Sequence, residues 1–264
     1  MKTISFSAIK GGVGKTTLAY NYGEWLADKG HKILFIDIDH QCNLTQIYDI
    51  YDIKDTIANA FTNLGDVKIT NVKENIDIIA GYLELDKIET SLENKSNKDM
   101  LLYMWLEDNY EDKNIAKYDY IIIDCHPDFS VATRNAIAIS HYILSPITPS
   151  EHGYKAKFNI SERLKDFSNE VIDYRTRESY ITSELMFLAN MVRHNTNSSK
   201  QFKETIEDDN SIIGLIPEKE LFNQSTLYHL PISEMAKNKA TKNQHRKFFD
   251  EIDDTFETIT KQLI

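Results

Sequence analysis

The sequence predicts an α/β fold, a mostly parallel twisted sheet with helices on both faces, formed by residues 1–264 as one domain. Three observations carry this expectation. Short, nearly uninterrupted apolar runs recur along the chain, as strands buried on both faces require. Stretches with apolar residues at helical spacing separate them, and strand–helix–strand crossovers build parallel sheets. The length of 264 residues, with 41% hydrophobic and 27% charged residues, suits one domain with its own core.

The elements follow in order. Thr3 to Ile9 is a short apolar-rich strand that runs directly into glycines. From Thr16 to Lys29, Leu18, Tyr22, Trp25 and Leu26 recur at helical spacing, and Gly30 stops the helix. Ile33 to Ile36 is a second buried strand closed by Asp37, and Ile76 to Ala80 a third. Residues 83–114 alternate charged and apolar positions as surface helices do. Tyr118 to Ile123, the most apolar strand, is closed by Asp124. Further strands are expected at 142–145, 185–189 and 211–216, and a last helix at 245–262.

Composition narrows the function classes. No run approaches the roughly 18–20 apolar residues of a membrane span, and the N-terminus lacks the pattern of a secretion signal. Two cysteines, Cys42 and Cys125, at no metal spacing, predict free thiols in a reducing cytoplasm. The net charge of −11 argues against a chain wrapped wholly in nucleic acid. The net charge is −8 over residues 1–150 and only −3 over residues 151–264, so a basic face is sought in the second half.

The glycines between the first strand and first helix carry the chemistry. Lys10-Gly11-Gly12-Val13-Gly14-Lys15-Thr16-Thr17 leaves backbone N–H groups free to face phosphate oxygens at a helix N-terminus. Lys15 can reach β- and γ-phosphates, and the Thr16 hydroxyl can ligate Mg²⁺. The usual first glycine of such a loop is Ile9 here, and a second lysine stands at position 10. Asp124, at a strand end, is placed to support Mg²⁺. Asp37 and Asp39, two apart, are expected to look toward the phosphates together.

These motifs resemble the ParA/MinD family of P-loop ATPases with a deviant phosphate loop. The resemblance rests on Lys10 to Thr17, Phe35-Ile36-Asp37-Ile38-Asp39-His40-Gln41-Cys42-Asn43 and Tyr118 to Pro127, and is strongest toward the ParA branch that partitions plasmids and chromosomes. Met191 to Asn197 and the Ile216-Pro217 turn resemble later loops of the family. The resemblance implies that Lys10 reaches across a homodimer to the partner's ATP, that Lys15 and Thr16 grip phosphate and Mg²⁺, and that Asp39 positions the attacking water. It implies that Asp124 supports Mg²⁺ and that Asn190 and Pro217 frame the adenine. It also implies an ATP-bound dimer that binds DNA without sequence preference and a ParB-like centromere-binding partner that stimulates hydrolysis. The expected place is the cytoplasm, at the nucleoid where DNA is bound.

Two loops depart from the family pattern. His40 and Cys42 stand where the family usually has proline and glycine, and Cys125-His126 precede Pro127 where a threonine and a proline are usual. Both histidines are read as tolerated loop residues in preference to metal ligands or proton shuttles. Candidate DNA-phosphate contacts are Arg193, Lys200 and Lys203, and a second cluster of Lys237, Lys239, Lys242, Arg246 and Lys247. The Glu218-Lys219-Glu220 turn is less basic than is common in the family. A MinD-like membrane-cycling ATPase is the alternative. The tail carries Phe248, Phe249, Ile252, Phe256, Ile259 and Leu263 on one face, but its other face is acidic, so its stripe is expected to dock on the sheet. An iron–sulfur relative is disfavoured because the two cysteines do not match cluster ligation, and no helix-turn-helix is expected before the phosphate loop.

Overall fold

A computed structural model describes residues 1–51, 53–193 and 196–263. His194 and Asn195 of the Met191–Asn197 segment, and Ile264 at the tail, lie outside the described residues.

Among the described residues eight strands form one sheet: β1 (Lys2–Phe6), β2 (Ile33–Asp37), β3 (Ile69–Lys73), β4 (Ile76–Ile79), β5 (Tyr120–Asp124), β6 (Tyr142–Ile147), β7 (Glu184–Val192) and β8 (Ile212–Pro217). Their spatial order is β3-β4-β2-β5-β1-β6-β7-β8, parallel throughout except for the antiparallel β3–β4 pair. The helices are α1 (Lys15–Asp28), α2 (Asn43–Ile47), α3 (Ala58–Thr62), α4 (Leu85–Leu92), α5 (Leu101–Asp108), α6 (Val131–Ile139) and α7 (Glu151–Glu170). They continue as α8 (Asn197–Ile206), α9 (Glu220–Leu227), α10 (Ile232–Met235), α11 (Lys239–Gln244) and α12 (Arg246–Gln262).

Strand alternation sends side chains to two cores. On one face Ile4, Phe6, Ile33, Phe35, Ile122 and Leu144 pack with α1, α9, α10 and α12. On the other Leu34, Ile36, Ile121 and Ile123 pack with α3 to α6. This two-sided burial is why the central strands read as continuous apolar runs. The α1 backbone lies close on β2: a Cβ added at Gly23 would sit 2.2 Å from the Phe35 ring.

The strands expected from sequence are present, with ends shifted by a few residues. Not anticipated were β3, the short helices α2 and α3, and α9 to α11 between β8 and the tail helix. The expected tail helix is α12, and Phe248, Phe249, Ile252, Phe256 and Ile259 are buried on the sheet. Phe256 packs edge-on against Tyr22 and Trp25 of α1, and Asp253 accepts a 2.7 Å hydrogen bond from the Trp25 indole. The apolar stripe is therefore consumed within the domain, which does not favour the membrane-cycling alternative. Among the described residues no helix is long and apolar enough to cross a membrane.

The central strand β1 is a switch point. The chain leaves it through α1 for β2 on one side, and β6 joins it on the other. Ligands bind in such sheets outside the carboxyl ends of the strands at this reversal, where β1, β2 and β5 end together. Asp124 is level with Phe6 and with Asp37.

Candidate active site

The loop after β1 turns into α1 through two residues with positive φ, Gly12 at +73° and Gly14 at +88°. Gly14 is the N-cap of α1 and offers no side-chain cap, and the first turn contains no acidic residue. Its N–H groups and the positive end of the helix are thus left for an anion. The loop is braced from β7, where the Asn190 amide donates a 2.7 Å hydrogen bond to the Val13 carbonyl. A Cβ at Gly14 would come within 2.5 Å of that amide nitrogen.

The cleft over this loop has a volume of about 650 Å³. Gly12, Gly14, Lys15, Thr16 and Thr17 line it on one side, and Asp39, His126 and Pro127 on the other. Lys15 is buried, whereas Lys10 is exposed and makes no ion pair among the described residues. Lys10 instead borders a neighbouring groove of about 490 Å³ with Ile9 and the start of α7, where Phe158 is exposed. A small recess of about 90 Å³ continues from Gly14 and Thr17 to Asn190, Met191, Pro217 and Phe222. Asn190 and Pro217, far apart in sequence, thus meet beside the loop.

Asp124 is the electrostatic centre. It has no exposure, and neither carboxylate oxygen has a hydrogen-bond partner of ordinary geometry. Burial pushes its carboxyl well above the usual range and the charge of Asp37 adds to this. The nearby Thr16 hydroxyl and Lys15 ammonium pull the other way. Buried carboxylates are normally satisfied. Two unpartnered oxygens near the Thr16 hydroxyl, behind the lining of the cleft, fit support of a Mg²⁺ ion, which takes oxygen ligands and retains water.

Asp37 and Asp39 do not act as a pair facing the cleft. The strand ends at Asp37, so the alternation that would align the two does not extend to Asp39. Asp37 accepts hydrogen bonds from the Thr45 amide at 2.9 Å, the Thr45 hydroxyl at 2.7 Å and the Asp39 amide at 3.1 Å. Burial raises its carboxyl to about 6 in spite of these bonds. It clamps the loop to α2, while Asp39 lines the cleft and accepts a 2.8 Å bond from the Gln41 amide.

The sequence reading missed Gln41, Asn43, Gln46, Tyr51, Thr226 and His229, which also line the cleft. The polar spacing of Gln41, Asn43 and Gln46 directly after Asp39 is the signal that marks the first three. A second cleft, of about 620 Å³, lies away from this chemistry at the amino ends of β2 and β5, between Lys32, Lys68, Lys113 and Lys117.

The candidate DNA contacts fall in two places. Arg193 follows β7 and is held by a two-pronged pair with Glu218; Lys200 and Lys203 are on α8. Lys237 lies between Asp28 at 2.7 Å and Glu234 at 2.9 Å. Arg246 and Lys247 open α12, 3.7 and 3.5 Å from Asp250 and Glu251. Lys239 and Lys242 on α11 are exposed and make no ion pair among the described residues.

Comparison with known proteins agrees with this geometry. Residues 1–174 match the family model described as an AAA domain. The sporulation initiation inhibitor protein Soj of Bacillus subtilis is 31% identical over 215 residues, covering 78% of this chain and 79% of that protein. The virulence plasmid ParA family protein pGP5-D of Chlamydia psittaci is 28% identical, over 65% of this chain and 66% of that one. Among solved structures, a Borrelia burgdorferi B31 protein described as a plasmid partition protein, with bound AMPPNP, superposes with a TM-score of 0.80. It is 25% identical and covers 99% of each chain. The chain belongs to the AAA domain family and, within it, to the ParA-type partitioning ATPases.

Proposed function

We propose that this chain hydrolyses ATP with Mg²⁺, closes into a homodimer around the nucleotide, and in that state binds DNA without sequence preference to segregate it. The observation that carries the first step is Asp124: a fully buried carboxylate at a strand end beside the glycine-rich anion loop, its two oxygens without hydrogen-bond partners among the described residues. Thr16 and Asp124 would hold Mg²⁺, which supplies charge neutralisation of the β- and γ-phosphates. The Gly11 to Thr17 backbone and Lys15 bind and orient the phosphates, and Asn190 and Pro217 border the base. Asp39 holds the attacking water and accepts its proton. The AMPPNP-bound relative supports the assignment of this cleft to ATP.

Dimerisation is supported by Lys10. A lysine on a phosphate loop that turns to solvent, next to an exposed Phe158, is suited to complete a site in another copy. A cation arriving from the partner couples hydrolysis to assembly, as an arginine finger does. A ParB-like centromere-binding protein is the partner expected to accelerate turnover, and the cytoplasmic nucleoid the place of action.

For DNA, the candidates Lys200, Lys203, Lys239 and Lys242 make no ion pair among the described residues, and the exposed pairs of Arg193, Lys237, Arg246 and Lys247 are weak enough to exchange for phosphate. The test is binding to random-sequence duplex with ATP, ADP or no nucleotide across a salt series. ATP-dependent binding that weakens steeply with salt is expected. Failure to bind with ATP even at low salt would leave an ATPase switch without this surface.

A further inference from the structure

The two family-divergent loops meet over the cleft. His40 follows Asp39 after β2, and His126 follows β5; their rings lie 4.0 Å apart with planes tilted by 33°. One ligand atom each from Asp39, His40 and His126 lies within 4.8 Å of the others. His126 is also oriented from behind: its Nδ1 is 2.8 Å from Asp128 Oδ2, which leaves Nε2 directed elsewhere. Asp128 is itself fixed by the Ser130 amide at 3.1 Å and the Thr133 hydroxyl at 3.0 Å. A carboxylate behind a histidine is the arrangement that orients and strengthens imidazole ligands in metal centres.

We propose that Asp39, His40 and His126 form a binding site for a divalent transition metal ion of the Zn²⁺ class, with Asp128 as the positioning residue behind His126. Two imidazoles and one carboxylate are the donor set of three-ligand zinc sites that keep a fourth position open. Bonds of about 2.0–2.1 Å need ligand atoms roughly 3.4 Å apart, so the ligand nitrogens must draw together while the two stacked rings splay apart. The site is separate in chemistry from the Thr16–Asp124 position, because Mg²⁺ prefers an all-oxygen shell and imidazoles select Zn²⁺, Co²⁺ or Ni²⁺. Its consequence rests on the role proposed above for Asp39. A carboxylate held by such an ion is withdrawn from the attacking water, so the metal acts as a reversible brake that preserves the ATP-bound state.

The probe is Co²⁺, titrated into the nucleotide-free full chain and followed by its visible absorption, with Zn²⁺ as competitor. One equivalent is expected to give a spectrum distinct from the aqua ion. It should be displaced by Zn²⁺ and persist in excess Mg²⁺. His40→Ala and His126→Ala should each weaken binding at least tenfold, and Asp128→Asn, which keeps all three ligands, by roughly 10–100-fold. Circular dichroism in EDTA confirms that each variant is folded. Both imidazoles are only half-buried, which favours this, and Asp128→Asn still reports should an alanine variant unfold. An aqua-ion spectrum at saturating Co²⁺, or equal affinity in wild type and folded variants, overturns the proposal. Zn²⁺ should also slow ATP turnover in the wild type more than in His40→Ala. Binding without this difference overturns the brake, and the metal titration itself is unaffected if the chain hydrolyses no ATP.

Discussion

Replacing Asp124 by asparagine should stabilise the nucleotide-free protein while impairing the loaded one. The wild-type carboxylate has no exposure and two unpartnered oxygens, and sits level with the buried Asp37. A buried polar group left unsatisfied costs about 1–3 kcal/mol, and more when charged. Asparagine keeps the shape and removes the charge, so a gain of about 2 kcal/mol is expected, or roughly 4–8 °C in Tm for a domain of this size. The sign with pH follows from linkage. Both carboxyls are raised in the folded state, Asp37 to about 6, so the folded chain binds more protons than the unfolded one. Wild-type stability without nucleotide should therefore fall as pH rises from about 4 through about 6 for Asp37, and the Asp124 contribution is lost in the same direction. The variant should lose less over that window. With Mg²⁺ and ATP at a hundred times Kd the wild type should gain about 2.7 kcal/mol, and the variant clearly less. Thermal unfolding in EDTA and in Mg²⁺–ATP across this pH range measures both. An Asp124→Asn protein that melts below wild type in EDTA would refute the assignment of Asp124 as a buried carboxylate destabilised by its surroundings.

Three further substitutions probe the loop and its support. Lys15→Ala should weaken ATP binding by roughly 10- to 150-fold, since a charge-assisted hydrogen bond is worth about 1.5–3 kcal/mol; near-normal affinity by calorimetry would sink the phosphate-site assignment. Gly14→Ala should cost about 1–2 kcal/mol for its φ of +88° and also push against the Asn190 amide. ATP affinity should drop more than tenfold, and unchanged affinity would contradict the brace seen here. Gly23→Ala should cost about 1–3 kcal/mol through its clash with Phe35, lowering Tm while the folded fraction still binds ATP. A Tm equal to wild type would mean that α1 is not seated on β2 as described.

The parallel core was legible because strands buried on both faces carry little but apolar side chains, as Ile33 to Ile36 and Ile121 to Ile123 do. Strand β3 was not, because an edge strand with Thr70, Asn71 and Lys73 half-buried or exposed lacks that pattern. The short helices α2 and α3 span five residues each, too few for a helical period to register. In the site, loop glycines, lysines and strand-end acids declare themselves because phosphate chemistry demands those types at that spacing. The division of labour between Asp37 and Asp39 depends on where the strand stops and on Thr45, which spacing alone does not reveal. The stacking of His40 on His126 brings together two loops remote in sequence, and only the shared sheet end of β2 and β5 makes them neighbours.

The central claim is that one copy's Lys10 completes another copy's ATP site. Sedimentation velocity of Asp39→Ala with Mg²⁺ and ATP, alongside Asp39→Ala carrying Lys10→Ala, tests it most directly. The single variant should bind ATP without hydrolysing it and sediment as a dimer, and the double variant should bind ATP and remain a monomer. A single variant that stays monomeric with ATP bound, or a double variant that dimerises as readily, would contradict it.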